Sequence, residues 1–135
     1  PVSPLHQFLT DVTALPPEGG VIELWWPDTV RDFLLLDDLG EALVRLALAD
    51  RSLDVVNVCS GVGLSFGEIV EALADALGVA ATIRSLDRPG IAAVVGDPRR
   101  MRATLGWVPG MTAAALAARA VGPGSGTGGA GGATR

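Results

Sequence analysis

Two arginines, Arg31 and Arg88, occupy positions from which a guanidinium group could bind phosphate. Arg31 follows the loop 26–29 and precedes the apolar run 33–36, whereas Arg88 lies in the turn 87–90, where proline and glycine restrict the backbone. A guanidinium held at such a point can donate two parallel hydrogen bonds to a phosphate or a carboxylate. From the residue type and position alone, two surface or salt-bridging arginines are the favoured interpretation.

The adjacent carboxylates Asp37 and Asp38 offer a second possible chemistry, that of an acid/base pair. They stand at the start of a helical pattern, where acidic side chains satisfy free N–H groups and complement the helix dipole. We therefore predict that Asp38 is an N-cap with Glu41 as its capping-box partner, and that neither acid is catalytic.

The sequence has one cysteine and one histidine, which leaves few candidates for a nucleophile or a metal ligand. Cys59 is the only cysteine in the sequence, so an intrachain disulfide or a multi-cysteine metal site is excluded. Because it follows the apolar run 55–58, we predict a small buried hydrophobe rather than a nucleophile. His6 has no acid, serine or cysteine partner suggested by the sequence, and we predict a surface or capping role. No catalytic or metal-binding residue is predicted.

The composition indicates one domain with a real core. The chain has 135 residues, 49% of them hydrophobic, which is enough to bury a core. Its formal net charge of −5 argues against nucleic-acid binding, which needs a basic face. The sequence shows neither a membrane span nor a signal peptide, so we expect a cytoplasmic protein with no membrane partner.

Apolar periodicity and turn residues predict an α/β fold. Helices are predicted to begin near Ser3, Asp38, Ser65, Asp97 and Thr112, with a capping box of Ser65 and Glu68 at the third. Strands are predicted at 21–25, 55–58, 81–83 and 92–95, and 33–36 is predicted to be a short buried strand or an extended run. The inward-facing apolar side chains are predicted to be those of residues 5, 8, 9 and 12 in the first helix and of residues 39, 42, 43, 46 and 47 in the second. The run 55–58 is apolar almost throughout, which is typical of a strand buried on both faces of a parallel sheet. From Gly122 onward the chain is rich in glycine, and we predict disorder for 122–135.

Four stretches carry a family resemblance. The stretch 31–42 resembles the R-D-[FY]-x-x-V-x-D-x-x-x-A motif of the extended short-chain dehydrogenase/reductase family, the NAD-dependent nucleotide-sugar epimerases and dehydratases. Residues 56–70 are similar to its Y-N-V-[GC]-S-G-x-x-x-S-x-x-E segment, and 94–99 and 105–109 to its closing D-x-x-[KR] and L-G-W-x-P stretches. The R-P-G-D motif reads Arg88-Pro89-Gly90-Ile91 here, so its usual acid is lost.

This resemblance implies a fold and a binding role. Residues 1–121 would be the C-terminal, substrate-binding part of such an enzyme, with the last strand or strands of a Rossmann-type parallel sheet and the first half of that domain absent. Arg31 and Arg88 would contact the diphosphate of a nucleotide sugar. Leu24 and Trp25 would lie where a strand passes the nucleotide base, although Trp25 and Trp26 could equally cover the edge of the core.

The resemblance also implies that cofactor binding and catalysis belong to another part of the enzyme. The family uses a G-x-x-G-x-x-G fingerprint for the dinucleotide and a catalytic Tyr with a Lys four residues later. This sequence has no such fingerprint, no tyrosine and no lysine. NAD or NADP would therefore belong to the parent enzyme, and we expect this chain alone to bind neither. Its partner would be the missing N-terminal Rossmann half or a homodimer partner.

The sequence favours one branch of the family and is compatible with two other kinds of protein. The residue types at 57–61 and 95–97 resemble those of the GDP-4-keto-6-deoxy-mannose reductase branch of the family. One alternative is a non-catalytic stand-alone or truncated relative that binds a sugar nucleotide or a partner protein. Another is an unrelated α/β ligand-binding domain, in which the two arginines would not converge.

Overall fold

The chain folds into a mixed α/β arrangement, seen in a computed structural model that describes residues 4–50, 55–86 and 90–122. The elements in chain order are α1 (Pro4–Thr13), β1 (Gly20–Leu24), β2 (Val30–Asp32), α2 (Leu36–Ala47), β3 (Gly63–Ser65), α3 (Phe66–Leu77), β4 (Ala81–Ser85), β5 (Ala93–Val94), α4 (Arg99–Leu105) and α5 (Ala113–Val121). Ser3, Arg88 and the tail beyond Gly122 lie outside the described residues.

The strands form two small sheets. β1 pairs with β4 in parallel, with Leu24 opposite Ser85. In the second sheet β2 is the central strand, antiparallel to β3 and parallel to β5, so Arg31 lies opposite Leu64 on one side and Val94 on the other. The parallel pairing confirms the predicted α/β class and brings three distant stretches of sequence around Arg31.

Helix α3 is the centre of the core. It packs against both α1 and α5, and four of its apolar residues are buried: Ile69, Val70, Leu73 and Ala74. The stripe predicted on α1 is confirmed, since Phe8 and Val12 join this core together with Ile22 and Leu24 from β1. The core therefore fixes α1, β1 and the start of α3 relative to one another.

The residues at the two ends of α3 explain where the helix begins and where it ends. Ser65 and Glu68 form the predicted capping box: the Ser65 Oγ accepts from the Glu68 N–H at 3.1 Å, and the Glu68 carboxylate accepts from the Ser65 N–H at 2.7 Å. Gly78 ends the helix in the left-handed conformation at φ 69°, which a residue with a side chain adopts less easily. The bonds from the Ser65 backbone and side chain lower the pKa of Glu68.

The substitution Ser65→Ala is expected to lower the free energy of unfolding by about 1 kcal/mol at pH 7. Because the folded-state pKa of Glu68 is depressed, its stabilising effect is present above its unfolded pKa and is lost as the pH falls through the folded value. Urea unfolding at pH 7 and pH 3 would check this. The difference between wild type and variant should shrink at pH 3, and an equal difference at both pH values would contradict the coupling.

Of the two alternatives predicted for 33–36, a short buried strand or an extended run, the strand does not form. Residues 33–35 are irregular, and α2 begins at Leu36 with Leu35 as an N-cap that has no side-chain bond. Asp38 is therefore not the N-cap; it lies with Asp37 in the first turn, where its charge still complements the helix dipole. The pairing of β2 with β3 ends at Asp32, which lies opposite Gly63.

The run 55–58 has no strand partner within the described part of the chain, so the predicted buried strand is wrong here. The side chain of Val55 is 68% exposed. The Val55 carbonyl accepts a hydrogen bond from the Arg100 guanidinium at 2.8 Å, in the place where a neighbouring strand would bond. The apolar sequence favours a strand, but a strand also requires a partner.

Helix α2 is apolar on two sides. Ala42 on its inner side is buried, as predicted, whereas Leu43 and Ala47 were predicted to face inward and are exposed. Four exposed apolar side chains of α2 and its C-cap lie at helical spacing and form a row, which we name the α2 outer stripe: Leu36, Leu43, Val44 and Leu48. These side chains are 54–80% exposed, which is unusual for a set of neighbouring leucines and valines.

Candidate functional site

Arg31 is held in place by backbone carbonyls. It lies on β2, half-buried, and its Nη1 donates to the Val30 carbonyl at 2.7 Å and to the Ile91 carbonyl at 3.1 Å. Its guanidinium carbon lies 5.9 Å from the centroid of the Phe66 ring, within the range of a cation–π contact. The side chain is thus oriented before any ligand arrives.

The charge of Arg31 is not neutralised by a carboxylate among the described residues. A guanidinium carries five N–H donors, and only those of Nη1 are used in the bonds just given. The N–H groups of Nη2 and Nε have no hydrogen-bond partner in the described part of the chain. An oriented cation with donors to spare is suited to an anionic group such as a phosphate.

The residues from Ile91 onward lie beside Arg31. Arg88 lies outside the described residues. Ile91, three residues later, accepts the hydrogen bond from Arg31, and β5 that follows is paired with β2. The last residue of the second motif therefore contacts Arg31 of the first, although the two residues are separated by 60 positions in sequence.

Leu24 and Trp25 line a cavity of about 350 Å³, which we name the aromatic cavity. Its lining residues are Gln7, Phe8, Asp11, Glu23, Leu24, Trp25, Trp26 and Phe66. Leu24 is buried in the core, and its carbonyl accepts from the Leu86 N–H at 2.8 Å, whereas Trp25 is 45% exposed. The two indoles contact edge to face, with centroids 5.8 Å apart.

Phe66 joins the aromatic cavity to Arg31. It is the first residue of α3, it contacts the Phe8 ring with centroids 5.1 Å apart, and its own ring carries the Arg31 guanidinium. Sequence reasoning did not single out Phe66, because only the pairing of β2 with β3 brings the start of α3 beside Arg31.

Asp32 is the second site residue that sequence reasoning missed. Its carboxylate accepts four hydrogen bonds, from the Ser60 N–H (3.0 Å), the Ser60 hydroxyl (2.6 Å), the Gly61 N–H (2.9 Å) and the Gly96 N–H (3.1 Å). It thus ties β2 to the loop before β3 and to the chain after β5. The sequence feature that could have identified Asp32 is its position directly after Arg31 in the R-D-F stretch. These bonds hold the strand that carries Arg31 against both segments.

The remaining candidates have structural explanations. Asp37 pairs with Arg119 of α5, which is consistent with the non-catalytic role predicted for it. Cys59 is buried, and that burial, with the nearby charge of Asp32, raises the pKa of its thiol. A thiol with a raised pKa is a poor nucleophile, in agreement with the prediction for Cys59.

In the ranges that the structure describes, no group of three or more His, Cys, Asp or Glu side chains is placed to hold a metal ion. None of the helices described there is long and apolar enough to cross a membrane.

Comparison with known proteins gives matches among solved structures. No protein-family model matches the chain, and no curated protein matches it. The structure of RMD from Pseudomonas aeruginosa complexed with NADPH is 30% identical, with a TM-score of 0.66, over 84% of this chain and 38% of that one. UDP-glucose 4-epimerase from Bifidobacterium longum in complex with NAD+ and UDP is 22% identical, with a TM-score of 0.68, over 90% of this chain and 38% of that one.

A third match, the Bordetella bronchiseptica enzyme WbmG in complex with NAD and UDP, is 23% identical, with a TM-score of 0.65, over 82% of this chain and 35% of that one. These matches define the fold: it is that of the C-terminal part of larger Rossmann-fold enzymes of the short-chain dehydrogenase/reductase type. The first of these structures contains NADPH and the other two contain NAD or NAD+ with UDP, and this chain spans a little over a third of their length.

Proposed function

We propose that this chain holds the nucleoside-diphosphate end of a sugar nucleotide for an NAD(P)-dependent epimerase, dehydratase or reductase. The observation that carries the proposal is Arg31, a half-buried guanidinium oriented by two carbonyls, with free donors and with no carboxylate partner among the described residues. Arg88 is proposed as the second diphosphate ligand. Holding the diphosphate places the distant sugar carbon where the reaction occurs, which is a direct contribution to rate.

The redox step is assigned to another part of the enzyme. NAD(P) would supply or accept a hydride there, and the sequence of this chain has neither the tyrosine nor the lysine that the family resemblance requires. The glycine-containing turn 60–63 leads towards α3, but the start of that helix is closed by its own capping box. The Glu68 carboxylate there would repel a pyrophosphate, so these residues do not fit a dinucleotide and we derive no step through one.

A partner surface is part of the proposal. The α2 outer stripe is an exposed apolar surface, and the run 55–58, which follows α2 in the chain, has no strand beside it in the described residues. Together they suit a partner that offers an apolar face and one β-strand. We propose the Rossmann half of the enzyme as that partner, with a second copy of this chain as the alternative, in a cytoplasmic setting.

The double substitution Leu43→Glu and Leu48→Glu is expected to reduce self-association of the isolated chain. Wild-type protein should form larger species as its concentration rises, because the stripe and the run 55–58 are uncovered. Light scattering after size-exclusion chromatography measures this, with the exposed substitution Glu71→Gln on α3 as the control. A wild-type chain that stays monomeric across the concentration range would contradict the proposed partner surface.

Calorimetric titration of the wild-type chain with GDP-mannose, UDP-glucose and dTDP-glucose tests the binding role. Saturable binding of one of them is expected, and we propose a GDP-sugar because of the resemblance to the GDP-4-keto-6-deoxy-mannose reductase branch. Binding by a chain that remains monomeric would favour the stand-alone binding module instead. If none of the three binds to a folded chain, the proposed function is wrong for this chain.

A further inference from the structure

Strand β1 has a neighbour on one side only. It pairs with β4, and no further strand joins this sheet within the described residues. The Gly20 N–H donates to the carbonyl of residue 80 at 2.9 Å, and the Leu24 carbonyl accepts from the N–H of residue 86 at 2.8 Å, on either side of β4 in the chain. Since hydrogen-bonding groups alternate between the two sides of a strand, those of Val21 and Glu23 face the open side. An additional strand can bond to two N–H groups and two carbonyls there.

A groove of about 290 Å³ lies along this open side, between β1 and the C-terminal end of α1. We name it the α1–β1 groove, and its lining residues are Asp11, Ala14, Leu15, Val21, Ile22 and Glu23. Successive side chains of a strand point to opposite faces, so three consecutive residues line one cavity only at a strand edge. Leu15 limits the groove at the start of β1, because a Cβ added to Gly20 would lie 2.9 Å from the Leu15 Cδ2. The open edge of β1 therefore faces a groove rather than a packed neighbour.

The groove is acidic at one end. Its two charged lining residues are carboxylates, Asp11 and Glu23, and both also line the aromatic cavity, which lies towards the end of β1. The Gln7 amide donates to the Asp11 Oδ1 at 2.8 Å, which orients the carboxylate. Glu23 forms an ion pair with Arg84, whereas Asp11 forms none among the described residues. Asp11 is therefore the charge in the groove that remains for a basic group.

We propose that the α1–β1 groove binds an extended, basic segment of a partner protein, which adds a strand to the open edge of β1. Main-chain hydrogen bonds to Val21 and Glu23 hold the segment. One of its side chains packs on the apolar surface beside Leu15, and an arginine or lysine two positions further on, on the same face, reaches Asp11. The partner thus carries an apolar and a basic residue at positions i and i+2 of an extended segment.

The charges of the groove argue against a second copy of this chain as the occupant. Antiparallel pairing of two β1 edges would bring the carboxylates of one copy close to those of the other, and like charges opposite one another destabilise a strand pair. The groove also shares no residue with the α2 outer stripe, the run 55–58 or the hydrogen bonds of Arg31. A peptide can therefore bind here whether or not a nucleotide sugar binds at Arg31.

Nuclear magnetic resonance titration of the isotope-labelled full chain with the capped peptide Thr-Val-Thr-Arg-Thr tests the proposal. Saturable shifts are expected for the amides of Val21 and Glu23, with an affinity roughly 10-fold or more above that for Thr-Val-Thr-Glu-Thr. Asp11→Asn should reduce this preference to about 3-fold or less, because it removes the charge and keeps the shape of the side chain. Asp75→Asn on α3, an exposed aspartate outside the groove, is the matched control and should leave the preference unchanged.

Two further probes test the strand pairing itself. The arginine peptide with N-methyl groups on its central amides cannot donate to the Val21 and Glu23 carbonyls, and it should bind roughly 10-fold more weakly. Val21→Pro removes an outward N–H and should weaken binding similarly in protein that circular dichroism shows to be folded. The N-methylated peptide decides the point if Val21→Pro does not fold. The proposal is overturned by no saturable binding to wild type, by shifts confined to another surface, by a preference that survives Asp11→Asn, or by full affinity of the N-methylated peptide.

Discussion

The variant Arg31→Met is expected to lose nucleoside-diphosphate binding by roughly 10- to 100-fold, because each hydrogen bond from a charged donor contributes about 1.5–3 kcal/mol. Methionine keeps an unbranched apolar stem beside Phe66 but removes the charge and all the N–H donors. Calorimetric titration with the nucleotide sugar that binds wild type measures the loss. All nucleotides should be affected alike, because Arg31 contacts the part that they share.

The matched control is Arg102→Met, which removes an exposed arginine of α4 that lines neither the aromatic cavity nor the Arg31 site. Its affinity should equal that of wild type. Circular dichroism of both variants establishes that they are folded, since Arg31→Met also leaves the Val30 and Ile91 carbonyls without their side-chain donor. Unchanged affinity in folded Arg31→Met protein would show that the phosphate does not lie at Arg31.

The variant Asp32→Ala is expected to lower the free energy of unfolding by about 3 kcal/mol. It removes an acceptor of four hydrogen bonds and leaves the N–H groups of Ser60, Gly61 and Gly96 without that partner, in a region where Ser60 is only 3% exposed. Since small domains are stable by about 5–15 kcal/mol, this is a large fraction of the total. Urea unfolding followed by circular dichroism measures it.

Two further substitutions sharpen this test. Asp32→Asn should also destabilise, because its amide turns N–H donors towards backbone N–H groups. Asp75→Asn on the exposed side of α3 should change stability by no more than about 0.5 kcal/mol. A loss below that size in Asp32→Ala would mean that the loop 60–61 and Gly96 are held by other contacts, and that Asp32 does not position β2.

Local signals in the sequence predicted the helices well. The capping box of Ser65 and Glu68, the cap of Thr112 and the left-handed Gly78 each determine a helix end within a few residues, so they can be read without knowing the fold. For 33–36 the strand alternative does not form. The run 55–58 was predicted wrongly as a strand, because a strand depends on a neighbour that its own sequence does not contain. Residues 55–58 have no such neighbour in the described chain.

The phosphate role of Arg31 follows from the family resemblance and stays a prediction, and its unused N–H donors support it. Asp32 and Phe66 became visible only through long-range pairing, because β2 lies between β3 and β5. Sequence spacing does not specify which side chains meet across such contacts.

The central claim is that Arg31 holds the diphosphate of a nucleotide sugar. Its most direct test is a crystal structure of this chain, or of the chain with its Rossmann partner, grown with the nucleotide sugar that binds in solution. The account predicts a phosphate oxygen within hydrogen-bond distance of the Nη2 or Nε of Arg31. A nucleotide bound elsewhere, with Arg31 bonded only to the Val30 and Ile91 carbonyls, would contradict it.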